Sequence, residues 1–249
     1  MLGYFLGHIY KYRLSVCIQN LARAFPHLSY QDIRDYQQRF YQNLGRIIWE
    51  ILFPSSTTLK IDPAAIDKIE QLSKENRSII LLLGHYGNWE VLQKLPQQVD
   101  MPVQALYKPL KNNLFNYLIH YKRSCHGLRL LPSGHALRTL LREKNSASIT
   151  LFVADQFPGN NNGIAVNFLQ QPTFMFSGAE QLAKRLDAYV GYVELTPLDN
   201  HSWEMSIQTI CENAKNIADD HITLTYTKKL EQSIEKDPSW WLWTHRRWK

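Results

Sequence analysis

Residues 78–90 form an apolar run followed by a polar turn, and they read Ser78-Ile79-Ile80-Leu81-Leu82-Leu83-Gly84-His85-Tyr86-Gly87-Asn88-Trp89-Glu90. The apolar part has the length of a buried strand, and Gly84 allows the backbone to turn after it. His85 is therefore predicted to lie just past the carboxyl end of that strand. Open α/β sheets bind their ligands at this edge.

The spacing between His85 and Glu90 predicts a bend between the two residues. Five steps along an α-helix would rotate their side chains apart by roughly 140°, so both can face one site only if the backbone turns. Gly87 can supply the bend, Asn88 is a good helix N-cap, and Glu90 then falls in the first helical turn, where a carboxylate is favoured. An imidazole can accept a proton near neutral pH, and a carboxylate on its far nitrogen fixes its tautomer. The pattern thus predicts a catalytic His85 that is oriented by Glu90, with Asn88 as a candidate substrate contact.

A purely structural explanation of this pattern stays open, because the motif is short. His85 could simply end a strand, and Glu90 could simply begin a helix. A zinc protease is disfavoured, since its HExxH motif places two histidines on one helical face and His85 has no such partner. We expect no metal site.

Two further strands are predicted to end in polar residues at the same edge. Residues 103–107 should form a strand beside the first one, and this strand delivers Tyr107 and Lys108 to the edge. Residues 147–154 should form a third strand. Its end is followed by two polar residues.

These two residues are Asp155 and Gln156. Asp155 could hold a hydroxyl or a basic side chain in the site, and Gln156 could donate a hydrogen bond. The pair could equally be turn residues.

We predict an α/β fold in which residues 1–249 form a single domain, with a mostly parallel central sheet flanked by helices and the active site at the carboxyl ends of the strands.

The composition suggests an anionic partner. The 249 residues carry a formal net charge of +6, with a pI near 9.1. Nucleic acid, phosphate-bearing lipid head groups, an anionic membrane and an acidic carrier protein would all fit this charge.

Three widely spaced cysteines predict neither a disulfide framework nor a zinc knuckle. No run approaches the roughly 20 apolar residues of a spanning helix, and the first residues do not resemble a signal peptide.

Residues 1–25 are predicted to form a helix at a membrane interface. Cations lie near an apolar stripe at helical spacing that comprises Leu2, Phe5, Leu6, Ile9, Tyr12 and Val16. A helix packed on its own domain would explain the stripe equally well. The Trp-rich end, residues 240–249, has the amphipathic mix seen at lipid head groups, and Trp240 and Trp243 docked on the domain are the alternative.

The motif GHYGNWE, an HxxxxE after an apolar strand, resembles the active-site motif of the bacterial lipid A biosynthesis acyltransferases. These are the late acyltransferases within the wider lysophospholipid and glycerolipid acyltransferase group. Further segments resemble the family in the same order along almost the whole chain. They comprise Tyr12-Arg13 with Asn20-Leu21 and Ala24-Phe25-Pro26, Tyr107-Lys108-Pro109-Leu110-Lys111-Asn112, Arg123 with Gly127, Ala154-Asp155-Gln156 with Gly159 and Gly163, and the Trp-rich end.

The sequence departs from the family in two places. It starts almost at the Tyr-Arg segment, where members usually carry a longer apolar helix ahead, so we expect attachment to the membrane surface rather than a spanning anchor. Gln170-Gln171-Pro172 stands where the family usually shows Phe-Phe-Gly. The apolar residues 173–178 could line an acyl pocket or belong to the core.

The resemblance implies an acyltransferase that works without metal or other cofactor. The acyl chain would pass from an acyl carrier protein or coenzyme A thioester to a hydroxyl of a lipid A precursor, at the cytoplasmic face of the bacterial inner membrane. His85 with Glu90 would take the hydroxyl proton. Arg123 and Lys108 would hold phosphates. The residues alone indicate only that Arg123 is a cation in the last turn of a helix.

Two alternatives to this function remain at this point. The acceptor could be another glycolipid, a lysophospholipid or an aminolipid. The chain could instead be a basic nucleic-acid-binding module with aromatic stacking platforms. The scattered cations and the acid-base motif argue against nucleic acid as a partner.

Overall fold

The computed structural model describes residues 2–108, 113–159, 163–199 and 201–248, and only the backbone of residues 113–116, 118 and 119. Residues 109–112 of the second family-like segment, residues 160–162 between Gly159 and Gly163, and Lys249 lie outside the described residues. The strands are β1 (Thr58–Ile61), β2 (Ile79–Leu83), β3 (Val103–Tyr107), β4 (Arg129–Pro132), β5 (Ile149–Val153), β6 (Gly163–Phe168), β7 (Gln171–Phe176), β8 (Tyr189–Asp199) and β9 (Ser202–Cys211).

Seven of these strands form one sheet in the order β1-β9-β8-β2-β5-β3-β4. All of its pairs are parallel except β8 with β9, which form an antiparallel pair. The described strands β6 and β7 form a separate antiparallel hairpin. The predicted α/β fold with a mostly parallel sheet is therefore confirmed.

Helices cover both faces of the sheet. They are α1 (Leu2–Tyr4), α2 (Leu14–Ala24), α3 (Tyr30–Leu52), α4 (Pro63–Lys74), α5 (Asn113–Ser124), α6 (Ser133–Arg142), α7 (Gly178–Leu186) and α8 (His221–Lys236). Helices α2, α3, α6, α7 and α8 pack on one face, and α4 with the 3-10 segment Trp89–Gln97 packs on the other. Two apolar cores result, one on each side of the sheet.

Strand β2 lies at the centre of the sheet because every residue in it is buried and apolar. It pairs with β5 on one side and with β8 on the other. The prediction that residues 103–107 lie directly beside it is wrong, because β5 occupies the place between β2 and β3. The apolar pattern of a strand does not encode which strand it pairs with, and consecutive strands are neighbours in only about two-thirds of cases.

The N-terminal segment is a broken helix rather than one continuous helix over residues 1–25. Helix α1 continues into a π-helical turn, Phe5–Ile9, and α2 begins only at Leu14. Lys11 and Arg13 between them have positive φ angles of 50° and 49°, which interrupt the helical path. Each helix in the described ranges is too short or too polar to cross a bilayer.

The Trp-rich C-terminal end is docked on the domain. Trp241 and Trp243 are buried, and Arg247 is fully buried. The amide of Asn20 donates to the carbonyls of Trp243 and His245, at 2.8 and 2.9 Å. The head-group hypothesis is therefore wrong for Trp241, Trp243 and Arg247. Docking on the domain is confirmed for Trp243 and for the half-buried Trp240, whose ring packs on that of Trp203.

Candidate active site

The imidazole of His85 is held by Asp155. His85 Nδ1 lies 2.6 Å from Asp155 Oδ1, and the His85 backbone N–H donates to Asp155 Oδ2 at 2.9 Å. Because a carboxylate accepts and does not donate, the His85 proton belongs on Nδ1, which leaves Nε2 as a proton acceptor. The prediction that Glu90 orients His85 is therefore wrong, and the orienting acid is Asp155.

Asp155 comes to this position because β2 and β5 are parallel neighbours in register. Leu83 is paired with Val153, so the residues that follow each strand meet at the same sheet edge. Trp241 Nε1 donates to Asp155 Oδ2 at 2.8 Å and covers the carboxylate. The Asp155 side chain is only 3% exposed and holds the His85 imidazole. Of the two predicted partners, a hydroxyl or a basic side chain, the basic side chain is therefore the one observed, and the burial of Asp155 argues against a direct substrate contact.

Burial by itself would raise the pKa of Asp155. The charge of the His85 imidazolium outweighs that effect, together with hydrogen bonds from the His85 ring, the His85 backbone and Trp241, and lowers the pKa to about 2. Asp155 is therefore ionised at any physiological pH. A fixed negative charge behind the imidazole stabilises the imidazolium that forms when Nε2 takes a proton.

The C-terminal end also fixes the backbone of the His85 turn. Gly87 N–H donates to the carbonyl of Trp240 at 3.1 Å, and Leu242 N–H donates to the carbonyl of His85 at 3.1 Å. Gly87 has a φ of +65°, and a Cβ at this position would meet the Trp203 ring. The predicted bend at Gly87 is confirmed, and only glycine fits it without strain.

Glu90 pairs with Arg123 instead of His85. Arg123 Nε donates to Glu90 Oε2 at 2.9 Å, and Arg123 Nη2 donates to Glu90 Oε1. Burial would lower the pKa of Arg123, but the hydrogen bond and charge of Glu90 raise it, so the guanidinium stays charged. Glu90 thus occupies the Nε–Nη2 side of the guanidinium, and phosphate binding by Arg123 through its remaining N–H groups stays a prediction.

Asn88 has a structural place between α3 and the site. Its Oδ1 accepts from the Glu90 backbone N–H at 3.1 Å, which confirms the predicted N-cap, although the helix that follows is of the 3-10 type. Its Nδ2 donates to Glu50 Oε2 at 2.7 Å. Asn88 is buried, which argues against its predicted role as a substrate contact.

Glu50, on α3, is a buried carboxylate that is not among the site residues predicted from the sequence. Besides Asn88, it accepts hydrogen bonds from Arg46 Nε at 2.7 Å, Trp203 Nε1 at 2.8 Å and His201 Nδ1 at 3.2 Å. It therefore ties α3 to β9 and to the turn that carries Glu90. A Glu on an apolar helical stripe is the signal that could have found it, because an isolated carboxylate is buried only with partners.

His85 and Glu90 nevertheless face one cavity, which we call the catalytic cavity. It has a volume of about 250 Å³ and lies at the carboxyl edge of the sheet. Its polar wall includes Tyr107, Lys108 and Gln156, so these three predicted site residues lie together with His85. Its apolar wall consists of Leu83, Leu92, Ala105, Leu106, Leu128, Leu130, Leu151 and Val153.

Lys108 and Gln156 are exposed in this wall, and Tyr107 is half-buried. Gln156 Nε2 lies 3.4 Å from His85 Nε2. A reacting group at Nε2 would therefore also be within reach of the Gln156 amide. In the part of the chain that the structure describes, no group of three or more His, Cys, Asp or Glu side chains is arranged to hold a metal ion.

The site can therefore remove a proton from a group that enters an apolar-floored cavity. A carboxylate-backed imidazole is a general base near neutral pH, and a neighbouring amide can donate to a developing oxyanion. This chemistry suits transfer of an acyl group to a hydroxyl. It also suits other proton abstractions.

Comparison with known proteins identifies the family. The chain resembles, at 21% identity, a lipid A biosynthesis acyltransferase of Haemophilus influenzae (strain Rd) over 97% of this chain and 77% of the relative. It resembles the lipid A biosynthesis palmitoleoyltransferase of Escherichia coli (strain K12) and a lipid A biosynthesis acyltransferase of Shigella flexneri, each at 21% identity over 96% of this chain and 79% of the relative. A family model described as bacterial lipid A biosynthesis acyltransferase matches residues 1–249. The chain is thus an acyltransferase and belongs to the bacterial lipid A biosynthesis acyltransferase family.

Proposed function

We propose that this enzyme moves a fatty acyl chain from the thioester of an acyl carrier protein or coenzyme A to a hydroxyl of a lipid A precursor. The single observation that supports this most strongly is the His85 imidazole, whose Nδ1 is bound by buried Asp155 while the ring borders a cavity with an apolar wall. A fatty chain needs the apolar wall, and a hydroxyl acceptor needs the base. Both are present at one sheet edge.

In this proposal His85 Nε2 takes the proton of the acceptor hydroxyl as its oxygen attacks the thioester carbonyl carbon. A C–O bond forms and the carbonyl electrons move to oxygen, where the Gln156 amide donates a hydrogen bond. The intermediate collapses, the C–S bond breaks, and the departing thiolate takes the proton from the His85 imidazolium. Asp155 stabilises that imidazolium, and the reaction needs no covalent enzyme intermediate because a thiolate leaves readily.

Glu90 in this proposal fixes Arg123 at the wall of the catalytic cavity. The pair is almost charge-neutral, so Lys108, which is exposed at the same wall, attracts a phosphate of the donor or of the lipid more strongly than Arg123 does. Loss of Glu90 would release the Nε and Nη2 groups of Arg123 and let the Arg123 side chain leave its position in the cavity wall. This gives Glu90 a positioning role toward Arg123 rather than toward His85.

We further propose that the protein acts on the cytoplasmic face of the inner membrane, bound at the membrane surface. Large exposed apolar and aromatic side chains cluster in the N-terminal segment, namely Tyr4, Phe5, Ile9 and Tyr10. Exposed apolar patches with Tyr side chains are typical of surfaces that contact lipid head groups and acyl chains. This surface would bring the catalytic cavity to a lipid acceptor.

Acylation assays with purified protein test the proposal. Wild type and His85→Ala are supplied with acyl carrier protein or coenzyme A thioesters and with a lipid A precursor, and the product is read by mass spectrometry. We expect transfer by wild type and none by His85→Ala, with both proteins equally folded by circular dichroism. A His85→Ala protein that still acylates would refute the proposed mechanism. Transfer to a lysophospholipid only would show that the acceptor is a lysophospholipid and not a lipid A precursor.

A further inference from the structure

A second cavity adjoins the catalytic cavity and is larger, at about 620 Å³. The two cavities share Trp89 and Gln156 in their walls. The ring centroids of Trp89 and His85 are 4.7 Å apart, and Gln156 Nε2 lies 3.4 Å from His85 Nε2. The two residues that lie between the cavities are therefore beside the nitrogen that would take the hydroxyl proton.

The second cavity has a mainly apolar wall made by the N-terminal segment, α3 and the C-terminal end. Its apolar side chains are Leu6, Leu44, Ile47, Ile48, Ile51 and Leu242. Arg13 is a polar residue of this wall, and its Nη1 donates a hydrogen bond to the carbonyl of Thr244 at 3.1 Å. A wall of this kind binds hydrocarbon, because burial of apolar area drives association and few polar groups need hydration.

The position of the second cavity indicates which hydrocarbon it takes. Tyr10 and Tyr12 contribute to its wall and are 66% and 39% exposed, and Phe5 and Ile9 are exposed beside them. This is the surface that we propose contacts the membrane. A chain belonging to a membrane lipid can enter from there without crossing water, whereas a chain on a water-soluble carrier cannot.

We propose that the second cavity receives an acyl chain that the lipid acceptor already carries, while the acyl chain of the donor enters the catalytic cavity. This inference rests on the proposed function and names how its acceptor is recognised. An acceptor hydroxyl located on an acyl chain would then lie at the junction of the two cavities, with the rest of that chain beyond Trp89. Residues 173–178, which the sequence suggested as an acyl pocket, are absent from the described walls of both cavities.

The test uses a variant that narrows the second cavity and measures how the enzyme's preference for the chain length of the acceptor changes. Ile48→Phe adds a ring to the cavity wall, and Leu52→Phe on the same helix is the matched control, because Leu52 is exposed and belongs to neither described wall. The acceptors are glucosamine phosphates that carry one 3-hydroxyacyl chain of increasing length, and the donors are acyl-coenzyme A thioesters of increasing length. Release of free thiol and formation of acylated product are both measured.

We expect Ile48→Phe to raise the KM of long-chain acceptors by about fourfold for each methylene displaced. Short-chain acceptors, the KM of the donor and the donor chain-length preference should stay as in wild type. Leu52→Phe should match wild type throughout. Ile48→Ala, which enlarges the cavity, should shift the acceptor preference toward longer chains, and it keeps the test valid if Ile48→Phe does not fold.

Two outcomes would overturn the inference. One is an unchanged acceptor profile in both Ile48 variants, and the other is a shift in the donor profile instead, which would assign the second cavity to the donor. Failure of the proposed function is distinct from both, because wild type itself would then transfer no acyl chain to any acceptor in the series.

Discussion

Replacing Asp155 by Asn tests the orientation of His85 with almost no change of shape. Asp155 Oδ2 accepts from two fixed donors, the His85 backbone N–H and Trp241 Nε1, and Oδ1 faces the His85 ring. An amide has one oxygen and one NH₂ group. The oxygen will replace Oδ2, because the opposite orientation would direct the NH₂ group at two donors, and each unmade buried hydrogen bond costs about 1–3 kcal/mol.

The NH₂ group of the substituted side chain would then face His85 Nδ1 and donate to it. Nδ1 would have to give up its proton, so the proton would move to Nε2, and the nitrogen at the cavity could no longer accept a hydroxyl proton. The productive tautomer would require the unfavourable amide orientation, and the imidazolium would lose its anionic partner. Together these effects predict a loss in kcat of about 10³ to 10⁴, similar to the same substitution in serine protease triads.

The assay is steady-state acyl transfer by Asp155→Asn, with folding checked by circular dichroism and unfolding in urea. Trp241→Phe is the control, because it removes one hydrogen bond from the carboxylate but leaves its charge and its contact with the His85 ring, so we expect only about a tenfold loss. KM should change little in Asp155→Asn. A folded Asp155→Asn protein with a kcat within tenfold of wild type would refute the orienting role of Asp155.

Three further predictions concern stability. Glu50→Gln should lower the free energy of unfolding by about 3 kcal/mol, because its NH₂ group would face buried donors; the midpoint of urea unfolding measures this, and an unchanged midpoint would contradict the account of the Glu50 contacts. Gln170→Gly should have a free energy of unfolding about 1 kcal/mol higher than Gln170→Ala, the control, since both variants lose the hydrogen bond from Gln170 Nε2 to the Ala24 carbonyl and only glycine relieves the φ of +61° in the two-residue turn between β6 and β7. The pKa of Asp155 falls from 3.8 unfolded to about 2 in the folded protein, so it contributes stability above pH 3.8 that is lost as the pH falls through 2. The urea-unfolding difference between wild type and Asp155→Asn should therefore shrink by about 2 kcal/mol between pH 5 and pH 2, and a constant difference would argue against the depressed pKa.

Features that depend on neighbouring residues were predictable from the sequence. Strand β2 follows from five consecutive apolar residues, and the bend at Gly87 follows from the spacing of His85 and Glu90. Ser29 caps α3, because its side chain accepts a hydrogen bond from the backbone N–H of Asp32 three positions on. In each case the residues that form the feature lie within one turn or one strand, so local geometry constrains the outcome.

The partners of the site residues were not predictable in the same way. Asp155 is 70 positions from His85, and Trp241 is 86 positions from Asp155. Their contacts exist because β5 is inserted beside β2 and because the C-terminal end packs along the His85 turn. Neither event leaves a periodic signal in the sequence, so the sequence alone points to the nearest acid along the chain, Glu90, as the orienting one.

An imidazole at the end of a buried strand, at the binding edge of an α/β sheet, is therefore predictable from residue order alone, because apolar burial and glycine geometry act over a few residues. The contacts of Asp155 with this imidazole and of Glu90 with Arg123 arise from the packing of the folded chain. A carboxylate in a folded protein pairs with the cation or donor that the packing of the sheet brings within hydrogen-bond distance, and that distance is set by strand order rather than by separation along the chain.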